Sequence, residues 1–350
     1  MSKSEIVIAL DAMGGDGAPD VVIRGANIAR VRYPRMRFMF FGKESAIVAG
    51  LAKFKRLKSV STVHHADAVI ADTDKPVQAL RQRQGSSMRL AIDAVGEKAA
   101  HGVVSAGNTG ALMALSKITL KTLPGIGRPA MGSIVPTVRG ESVMLDLGAN
   151  IDCDSTTLAQ FAVMGEVFAR NVLGVREPTV GLLNIGTEEL KGSETIRTAA
   201  ATLRGSGLPI KFHGFVEADD IAAGTVDVIA TDGFAGNIAL KSAEGTARLY
   251  TEYLKSAFRR SLFSRLGYLL ARPALRLLRE RVDPRAYNGA MFLGVNGVVV
   301  KSHGGTDHKG FANAIGVAFD MVSQGINPKI IDELSRLELA ALPEPKRAAF

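Results

Sequence analysis

Residues 6–19 read Ile-Val-Ile-Ala-Leu-Asp-Ala-Met-Gly-Gly-Asp-Gly-Ala-Pro. The first five are an apolar run of strand length, and a charged residue and then three glycines follow it. Pro19 opens a segment of helical periodicity, at a position where proline is well tolerated. A strand, a glycine-rich turn and a helix N-terminus leave backbone N–H groups unpaired around the turn, where the helix dipole favours negative charge. The pattern predicts an anion site, although a tight turn alone would also need the glycines.

The same alternation of an apolar run and a helical segment recurs along the chain. It appears at 37–41 with 43–54, 102–105 with 109–122, 143–147 with 156–172, 179–185 with 193–204, and 226–230 with 235–253. Repeated strand–helix units predict a largely parallel sheet with helices on both faces. The 350 residues are enough for a single catalytic α/β domain, 1–350, or for two intertwined subdomains.

Six apolar runs are followed by turns rich in glycine and small polar residues. These turns begin at Asp11, Ser105, Asp146, Asn184, Thr231 and Ser302. Parallel α/β sheets bind ligands outside the carboxyl ends of their strands. We therefore expect the six turns to converge on one edge of the sheet and to form one site there, the alternative being incidental turn chemistry.

Several common sites are absent from the sequence. The first glycines lack the G-x-G-x-x-G spacing and its partner acid about 20 residues on, and there is no P-loop motif. No H-E-x-x-H motif or cysteine cluster is present, so we predict no metal and no cofactor. The single cysteine, Cys153, excludes an intrachain disulfide and fits a reducing compartment. Its neighbours Asp152 and Asp154 would raise the pKa of its thiol, so we interpret it as structural.

Positive charge is concentrated at residues 254–282, where eight Lys and Arg residues and one acid give +7 of the chain's formal +9. Leucines and aromatic residues alternate with these charges, and Pro273 is expected to divide the stretch into two helices. We predict a protruding basic amphipathic helical pair at about 246–283, and we interpret it as an interfacial membrane element. The alternative is a helical pair that packs on the body or on a second subunit. The expected membrane contacts are Phe263, Leu266, Leu269 and Leu270.

Other partners and locations are less compatible with the sequence. The basic stretch matches no DNA-binding motif and carries no row of stacking aromatics, so we expect no nucleic acid. No apolar run approaches the roughly 18 residues of a membrane span. The polar residues 1–5 lead directly into the first strand, which indicates no secretory signal and predicts a cytoplasmic protein.

The motifs together closely resemble those of the bacterial phosphate acyltransferase family, PlsX. The resemblance rests on residues 8–19, 105–110, 184–192 and 231–237, in the family's order, and it extends from about residue 5 to 340. It implies transfer of a fatty acyl group from acyl carrier protein to inorganic phosphate, which gives acyl phosphate for phospholipid synthesis. It also implies a homodimer with a three-layer α/β/α fold and a mixed sheet, like that of isocitrate and isopropylmalate dehydrogenases. Peripheral association with anionic membrane lipid, and a downstream membrane glycerol-phosphate acyltransferase, follow from the same resemblance.

Such a reaction needs an anion cradle, stabilisation of the carbonyl oxygen and aligned reactants. Alignment alone can supply about 7–11 kcal/mol, and phosphate is already negative at neutral pH. We expect the phosphate to be bound by backbone N–H groups and a hydroxyl. The residues expected to form this cradle are Gly14, Gly15, Gly17, Asn108 and Thr109.

The remaining catalytic roles are hypotheses from residue type and position. Lys191 is expected to supply positive charge to the phosphate or the oxyanion, with a surface lysine as the alternative. Asp232 and Asn237 would orient the phosphate or the lysine.

Three side chains compete for the acid–base role. Asp11 could accept the phosphate proton. His303, in a glycine-rich turn, is the best candidate for a general acid or base, and His308 is its close rival.

Three other functions compete with acyl transfer from a carrier protein. A phosphotransacetylase-like enzyme would use a coenzyme A thioester. A non-enzymatic membrane scaffold would leave the six polar turns unexplained. A nicotinamide dehydrogenase is weakest, because its fingerprint is absent.

Overall fold

The computed structural model describes residues 5–71, 73–74, 85–281 and 283–341. Within these ranges the chain forms eleven strands and twelve helices. The strands are β1 (Ile6–Asp11), β2 (Met36–Gly42), β3 (Ser61–His65), β4 (Gly102–Ser105), β5 (Ala130–Thr137), β6 (Gly140–Leu145), β7 (Thr179–Leu183), β8 (Lys211–Val216), β9 (Val228–Ala230), β10 (Ala290–Leu293) and β11 (Val298–Lys301). The helices are α1 (Asp20–Arg32), α2 (Glu44–Leu51), α3 (Lys55–Lys58), α4 (Ser87–Gly96), α5 (Thr109–Leu120), α6 (Ser155–Asn171), α7 (Glu194–Gly205), α8 (Ala218–Ala223), α9 (Gly233–Arg259), α10 (Leu262–Arg281), α11 (His308–Gln324) and α12 (Ile326–Ala341).

All eleven strands belong to one sheet, in the order β3-β2-β1-β4-β11-β10-β5-β6-β9-β7-β8. The first five in this order are mutually parallel, and so are the last four. Between these two blocks, β10 and β5 make three successive antiparallel pairings. An odd number of reversals makes the second block run opposite to the first.

The six polar turns therefore lie at two different edges of the sheet. The turns that begin at Asp11, Ser105 and Ser302 follow β1, β4 and β11, and we call their edge the cradle edge. The turns that begin at Asp146, Asn184 and Thr231 follow β6, β7 and β9 at the opposite edge, which we call the lysine edge. The prediction that all six converge on one edge was wrong. It failed because the reversing strands β5 and β10 were not recognised in the sequence.

Helices cover both faces of the sheet. Ile8 and Leu10 of β1 lie in a core that includes residues of α1 and α11. Ala9, between them, lies in a second core with residues of α4 and α5. The alternation follows from the two-residue period of a strand, and it buries apolar side chains in both layers. The three-layer α/β/α architecture with a mixed sheet is confirmed.

Helices α9 and α10 form a hairpin that extends away from this core. The buried residues of α9 are Gly233 and Gly236, in its first turn. No described side chain from 237 to 281 is buried. The two helices contact each other through the rings of Phe258 and Tyr268, whose centroids are 5.3 Å apart. Within the described chain, no helix is both long and apolar enough to cross a bilayer.

The predicted division of this hairpin at Pro273 was wrong. Pro273 lies inside α10, and the chain breaks between Arg259 and Leu262 instead. There the Ser261 hydroxyl accepts a hydrogen bond from the Ser264 N–H at 3.0 Å and starts the new helix. A proline removes one helical hydrogen bond, but α10 is exposed, so water can satisfy the carbonyl that is left. Val282, the last residue of the basic stretch 254–282, lies outside the described residues.

Candidate active site

Three turns contact one another at the cradle edge. The N–H of Asp16, in the turn after β1, donates to the carbonyl oxygen of Gly304, in the turn after β11, at 3.0 Å. Gly14 packs against the backbone of Gly107, in the turn after β4, so closely that a Cβ would lie 2.6 Å from its nitrogen. The predicted convergence of the turns therefore holds for the three turns at this edge.

Glycine is required in the first of these turns. Gly15 has φ +90°, and a Cβ there would lie 2.9 Å from both the Ala106 Cβ and the Gly304 carbonyl oxygen. Among the described residues, the N–H groups of Gly14, Gly15 and Gly17 donate to no protein acceptor. Unpaired N–H groups before a helix N-terminus are a general anion site, so this geometry suits the predicted cradle.

Asp11 is enclosed beneath the cradle. Its carboxylate accepts hydrogen bonds from the Ser87 and Ser105 hydroxyls, both at 2.6 Å, and from the Met13 N–H at 3.3 Å. Burial raises the pKa of this carboxyl, and the two serine hydrogen bonds oppose that shift. Because the carboxylate is buried and occupied by these donors, its geometry favours holding the turns together over taking a proton from phosphate.

Asn108 and Thr109 lie at the start of α5. Asn108 Oδ1 caps the helix by accepting from the Ala111 N–H at 2.9 Å. Its Nδ2 donates to the carbonyl oxygens of Ala71 and Asp74, at 3.4 and 3.1 Å. The amide of Asn108 is thus engaged in positioning α5, whereas Thr109 is exposed at the helix terminus.

His303 lies in the turn after β11, and hydrogen bonds hold both its backbone and its ring. Its N–H donates to Asn288 Oδ1 at 2.8 Å, and its Nδ1 accepts from the Gly305 N–H at 3.1 Å. A neutral ring with an acceptor at Nδ1 carries its proton on Nε2, which leaves an exposed Nε2–H donor. His308 is the first residue of α11 and is half-buried.

Sequence reasoning missed Lys301, the last residue of β11. It is 9% exposed, and its Nζ donates to the Ala106 carbonyl oxygen at 3.3 Å and to the Ser302 carbonyl oxygen. The available signal was its position, because a charged residue ends an apolar run just before a glycine-rich turn, as Asp11 does.

Lys191 lies at the lysine edge, in the loop after β7. Asn184 fixes this loop by donating its Nδ2 to the carbonyl oxygens of Gly186 and Lys191, at 3.1 and 3.2 Å. The loop closes at Gly192, which has φ +83°. The Lys191 side chain is exposed, so it is available to a ligand or to another chain.

Asp232 and Asn237 lie at the same edge and have structural partners. Asp232 caps α9 by accepting from the Ala235 N–H at 2.8 Å. Asn237 donates its Nδ2 to the Leu147 carbonyl oxygen at 3.1 Å and so ties α9 to the turn after β6. Within one chain, the structure therefore brings Lys191, Asp232 and Asn237 to the edge opposite the cradle.

Asp146 organises the lysine edge from inside. Its carboxylate accepts from four backbone N–H groups at 2.6–3.3 Å and from the Asn150 side chain at 2.9 Å. Burial, followed by the charges of Asp146 and Asp232, raises the pKa of the Cys153 thiol to about 12. The structural interpretation of Cys153 agrees with this value. Across the described ranges, no group of three or more His, Cys, Asp or Glu side chains is arranged to hold a metal ion.

Comparison with known sequences covers nearly the whole chain. The family model described as "Fatty acid synthesis protein" matches residues 6–329. Proteins named phosphate acyltransferase from Rhodospirillum centenum and Paramagnetospirillum magneticum are 63% and 55% identical over 347 residues, which is 98% and 99% of both aligned chains. The chain belongs to the PlsX family. The family resemblance that the motifs indicated is confirmed.

Solved structures of other enzymes share the fold of this PlsX member. EutD phosphotransacetylase from Staphylococcus aureus aligns with TM-score 0.60 and 17% identity over 91% of this chain and 94% of its own. A phosphotransacetylase from Streptococcus pyogenes gives 0.63 and 16% over the same shares. A putative 4-hydroxythreonine-4-phosphate dehydrogenase from Salmonella typhimurium gives 0.53 and 13% over 91% of this chain and 100% of its own. At these identities the likeness establishes the fold alone.

Proposed function

We propose that this chain transfers a fatty acyl group from acyl carrier protein to inorganic phosphate and releases acyl phosphate for phospholipid synthesis. Membership of the PlsX family and relatives named phosphate acyltransferase support the transfer to phosphate. The observation that carries the proposal is the cradle, where the N–H groups of Gly14, Gly15 and Gly17 have no protein acceptor within the described chain. These donors suit a small anion next to the N-terminus of α1.

In the proposed reaction, an oxygen of hydrogen phosphate attacks the thioester carbonyl carbon. A carbon–oxygen bond forms, the carbon–sulfur bond breaks, and the phosphate proton ends on the departing thiol. A thiol has a pKa of about 8.5, so its departure needs little acid assistance. Holding the two reactants in line is then the main contribution of the site.

His303 is the acid–base candidate that the geometry favours. Its turn contacts the cradle through the hydrogen bond between Asp16 and Gly304. The Gly305 N–H occupies Nδ1 of the His303 ring, so the Nε2–H is left for a ligand. An Nε2–H can stabilise the carbonyl oxygen as it gains charge. The other tautomer, with the proton on Nδ1, would be needed for Nε2 to take the phosphate proton and pass it to sulfur. His308 is the rival, because it begins the helix that follows this turn.

Lys191 requires a second chain if it acts at the same site. The cradle follows β1, and Lys191 follows β7 at the opposite edge, seven positions away in the sheet. At about 4.8 Å per strand the two are roughly 30 Å apart, which no lysine side chain spans. We infer a homodimer in which Lys191 of one chain, with Asp232 and Asn237 from the same edge, completes the cradle of its partner.

The α9–α10 hairpin supplies the proposed membrane contact. Its exposed leucines and arginines suit peripheral binding to anionic lipid at the cytoplasmic face. The product carries an acyl chain and must reach a membrane, where a glycerol-phosphate acyltransferase would use it. A membrane contact on the enzyme shortens that transfer.

The decisive experiment measures thiol release from a long-chain acyl carrier protein with and without inorganic phosphate. The proposal expects phosphate-dependent release and stoichiometric acyl phosphate, both of which survive a chelator. An acyl coenzyme A donor at matched concentration forms the second arm. Faster turnover of the coenzyme A thioester would favour a phosphotransacetylase-like enzyme. Thiol release at the same rate with and without phosphate would reject acyl transfer to phosphate.

Mixed dimers test the shared site. Gly15→Val crowds the cradle and Lys191→Ala removes the ammonium, so each variant alone should lose most activity. A dimer that contains one chain of each keeps one site with an intact cradle and an intact lysine, so random exchange should recover about a quarter of wild-type activity. Demonstrated subunit exchange without recovery would place both residues in one chain's site or remove Lys191 from catalysis.

A further inference from the structure

Lys301 places a positive charge under the cradle. As the last residue of β11, it pairs with Ser105 at the end of β4. Its side chain is 9% exposed, and its Nζ is anchored by the carbonyl oxygens of Ala106 and Ser302. A lysine is rarely buried to this extent unless its ammonium is paired or hydrogen-bonded.

The Ala106 carbonyl oxygen fixes where this ammonium lies relative to the glycine turn. It is 3.3 Å from Lys301 Nζ and 3.6 Å from the position of a Cβ on Gly15. The ammonium is therefore within about 7 Å of that position. The same oxygen is 3.5 Å from the corresponding position on Gly304, so the charge lies where the turns after β1, β4 and β11 meet.

The charge balance of the cradle favours a role for this ammonium. The three turns, residues 11–19, 105–109 and 301–308, contain Lys301 as their single Lys or Arg. They also contain three carboxyls, those of Asp11, Asp16 and Asp307. Of these, Asp11 is the buried one, and its Oδ2 would lie 2.6 Å from a Cβ on Gly14. In a poorly solvated site, a carboxylate at this distance from the turn repels a second anion strongly. Backbone N–H groups alone would have to overcome that repulsion.

We propose that the charge of Lys301 holds inorganic phosphate in the cradle, acting through space from beneath the glycine turn. The inference rests on the phosphate site of the proposed function and adds a residue to it. Lys301 is a positioning residue, because its observed hydrogen bonds go to backbone carbonyls that belong to the turns. Lys191 then remains available for the thioester carbonyl oxygen.

Calorimetric titration of the full chain with inorganic phosphate, without acyl donor, tests the proposal directly. Lys301→Met should weaken phosphate binding about 10- to 100-fold, the usual effect of losing one charge-assisted interaction. Lys301→Arg keeps the charge and should stay close to wild type. Lys309→Met is the matched control, since Lys309 is an exposed lysine on the next helix, and it should bind phosphate normally. In turnover assays the KM for phosphate should rise in Lys301→Met, while the KM for the acyl donor stays unchanged.

A second pair of variants protects the test against misfolding. Lys301→Met removes the positive charge that acts on the buried carboxyl of Asp11, which can destabilise the chain. Asp11→Asn and Asp11→Asn/Lys301→Met both avoid this, and the double variant should bind phosphate at least tenfold more weakly than the single one. Equal affinities in this pair, or wild-type affinity in a folded Lys301→Met, would overturn the proposal.

The outcomes for Lys301 and for the reaction can be separated. A wild-type chain that binds no phosphate overturns the inference about Lys301. A chain that binds phosphate in a Lys301-dependent way but releases no thiol leaves this inference standing and rejects the acyl transfer.

Discussion

Replacing Leu266 and Leu269 by glutamate should abolish membrane binding and leave soluble acyl transfer intact. Phe263, Leu266, Leu269 and Leu270 are 88%, 57%, 60% and 78% exposed. At 100° per residue, these four side chains fall within about 120° of arc on α10 and form one apolar stripe. Full burial of such a side chain is worth about 1.5–3 kcal/mol, so inserting the stripe contributes roughly 4–8 kcal/mol at most.

The double substitution removes a large part of this energy. Two leucines exposed to this degree account for about 2–3 kcal/mol, and two carboxylates would have to enter the interface in their place. Binding should therefore fall by more than about 30-fold at every salt concentration. By contrast, Arg259→Ser/Arg260→Ser/Arg265→Ser removes about 1 kcal/mol per charge at best. This triple variant should weaken binding mainly to anionic vesicles at low salt, because salt screens exposed charges.

Sedimentation with anionic and with neutral vesicles, over a range of salt, measures both effects. Activity with soluble acyl donor and the oligomeric state are recorded for the same samples. If the three proteins sediment alike, the stripe does not contact lipid. If the glutamate pair dissociates the proposed dimer and loses activity together, the stripe is a subunit interface, and the membrane proposal fails.

The other predictions concern proton transfer and stability. His303→Asn should lose most of its turnover with soluble acyl donor and His308→Asn should keep it; full activity in both would remove the histidines from proton transfer. Asp146→Ala leaves its backbone and side-chain donors unsatisfied and should lower the free energy of unfolding by about 3 kcal/mol or more, measured with urea against the exposed Asp152→Ala; equal losses would show that the buried network is unimportant. Burial raises the pKa of Asp320 from 3.8 to about 6, so folding favours its protonated form, and the stability it contributes below pH 3.8 is lost as the pH rises through about 6. Asp320→Asn should therefore be more stable than wild type at pH 8, by roughly 1–2 kcal/mol because solvent screens this half-buried group, with the gain shrinking toward pH 4; a gain that is independent of pH would contradict this cause.

Local patterns predicted the individual strands and helices well. The run at 102–105 became β4 without a change of boundary, and the helices predicted at 156–172 and 193–204 begin within one residue of α6 and α7. These elements have a strong apolar period and a capping side chain, Asp154 or Ser193, at the start. Such signals are contained within a dozen neighbouring residues.

Long-range features could not be predicted in the same way. Strand β5 carries glycine, serine, proline and threonine among its eight residues, so it lacks the apolar run that marks the other strands. Its antiparallel pairing with β6 and β10 depends on which strands are neighbours in space. The division of the polar turns between the cradle edge and the lysine edge follows from that pairing alone. Lys301 was missed for a related reason, since its Nζ is anchored by carbonyl oxygens in the turns after β4 and β11, which are far apart in the sequence.

The unbroken sheet has a further consequence for an assembly of two chains. The cradle and the Lys191 loop are attached to the same eleven strands, so their separation within a chain is set by seven hydrogen-bonded strand spacings. If each chain presents its lysine to the other's cradle, this rigid span becomes the distance between the two reaction centres. The twofold axis then passes midway along that span. Seating one lysine aligns the other, so the two centres would form in a single docking event.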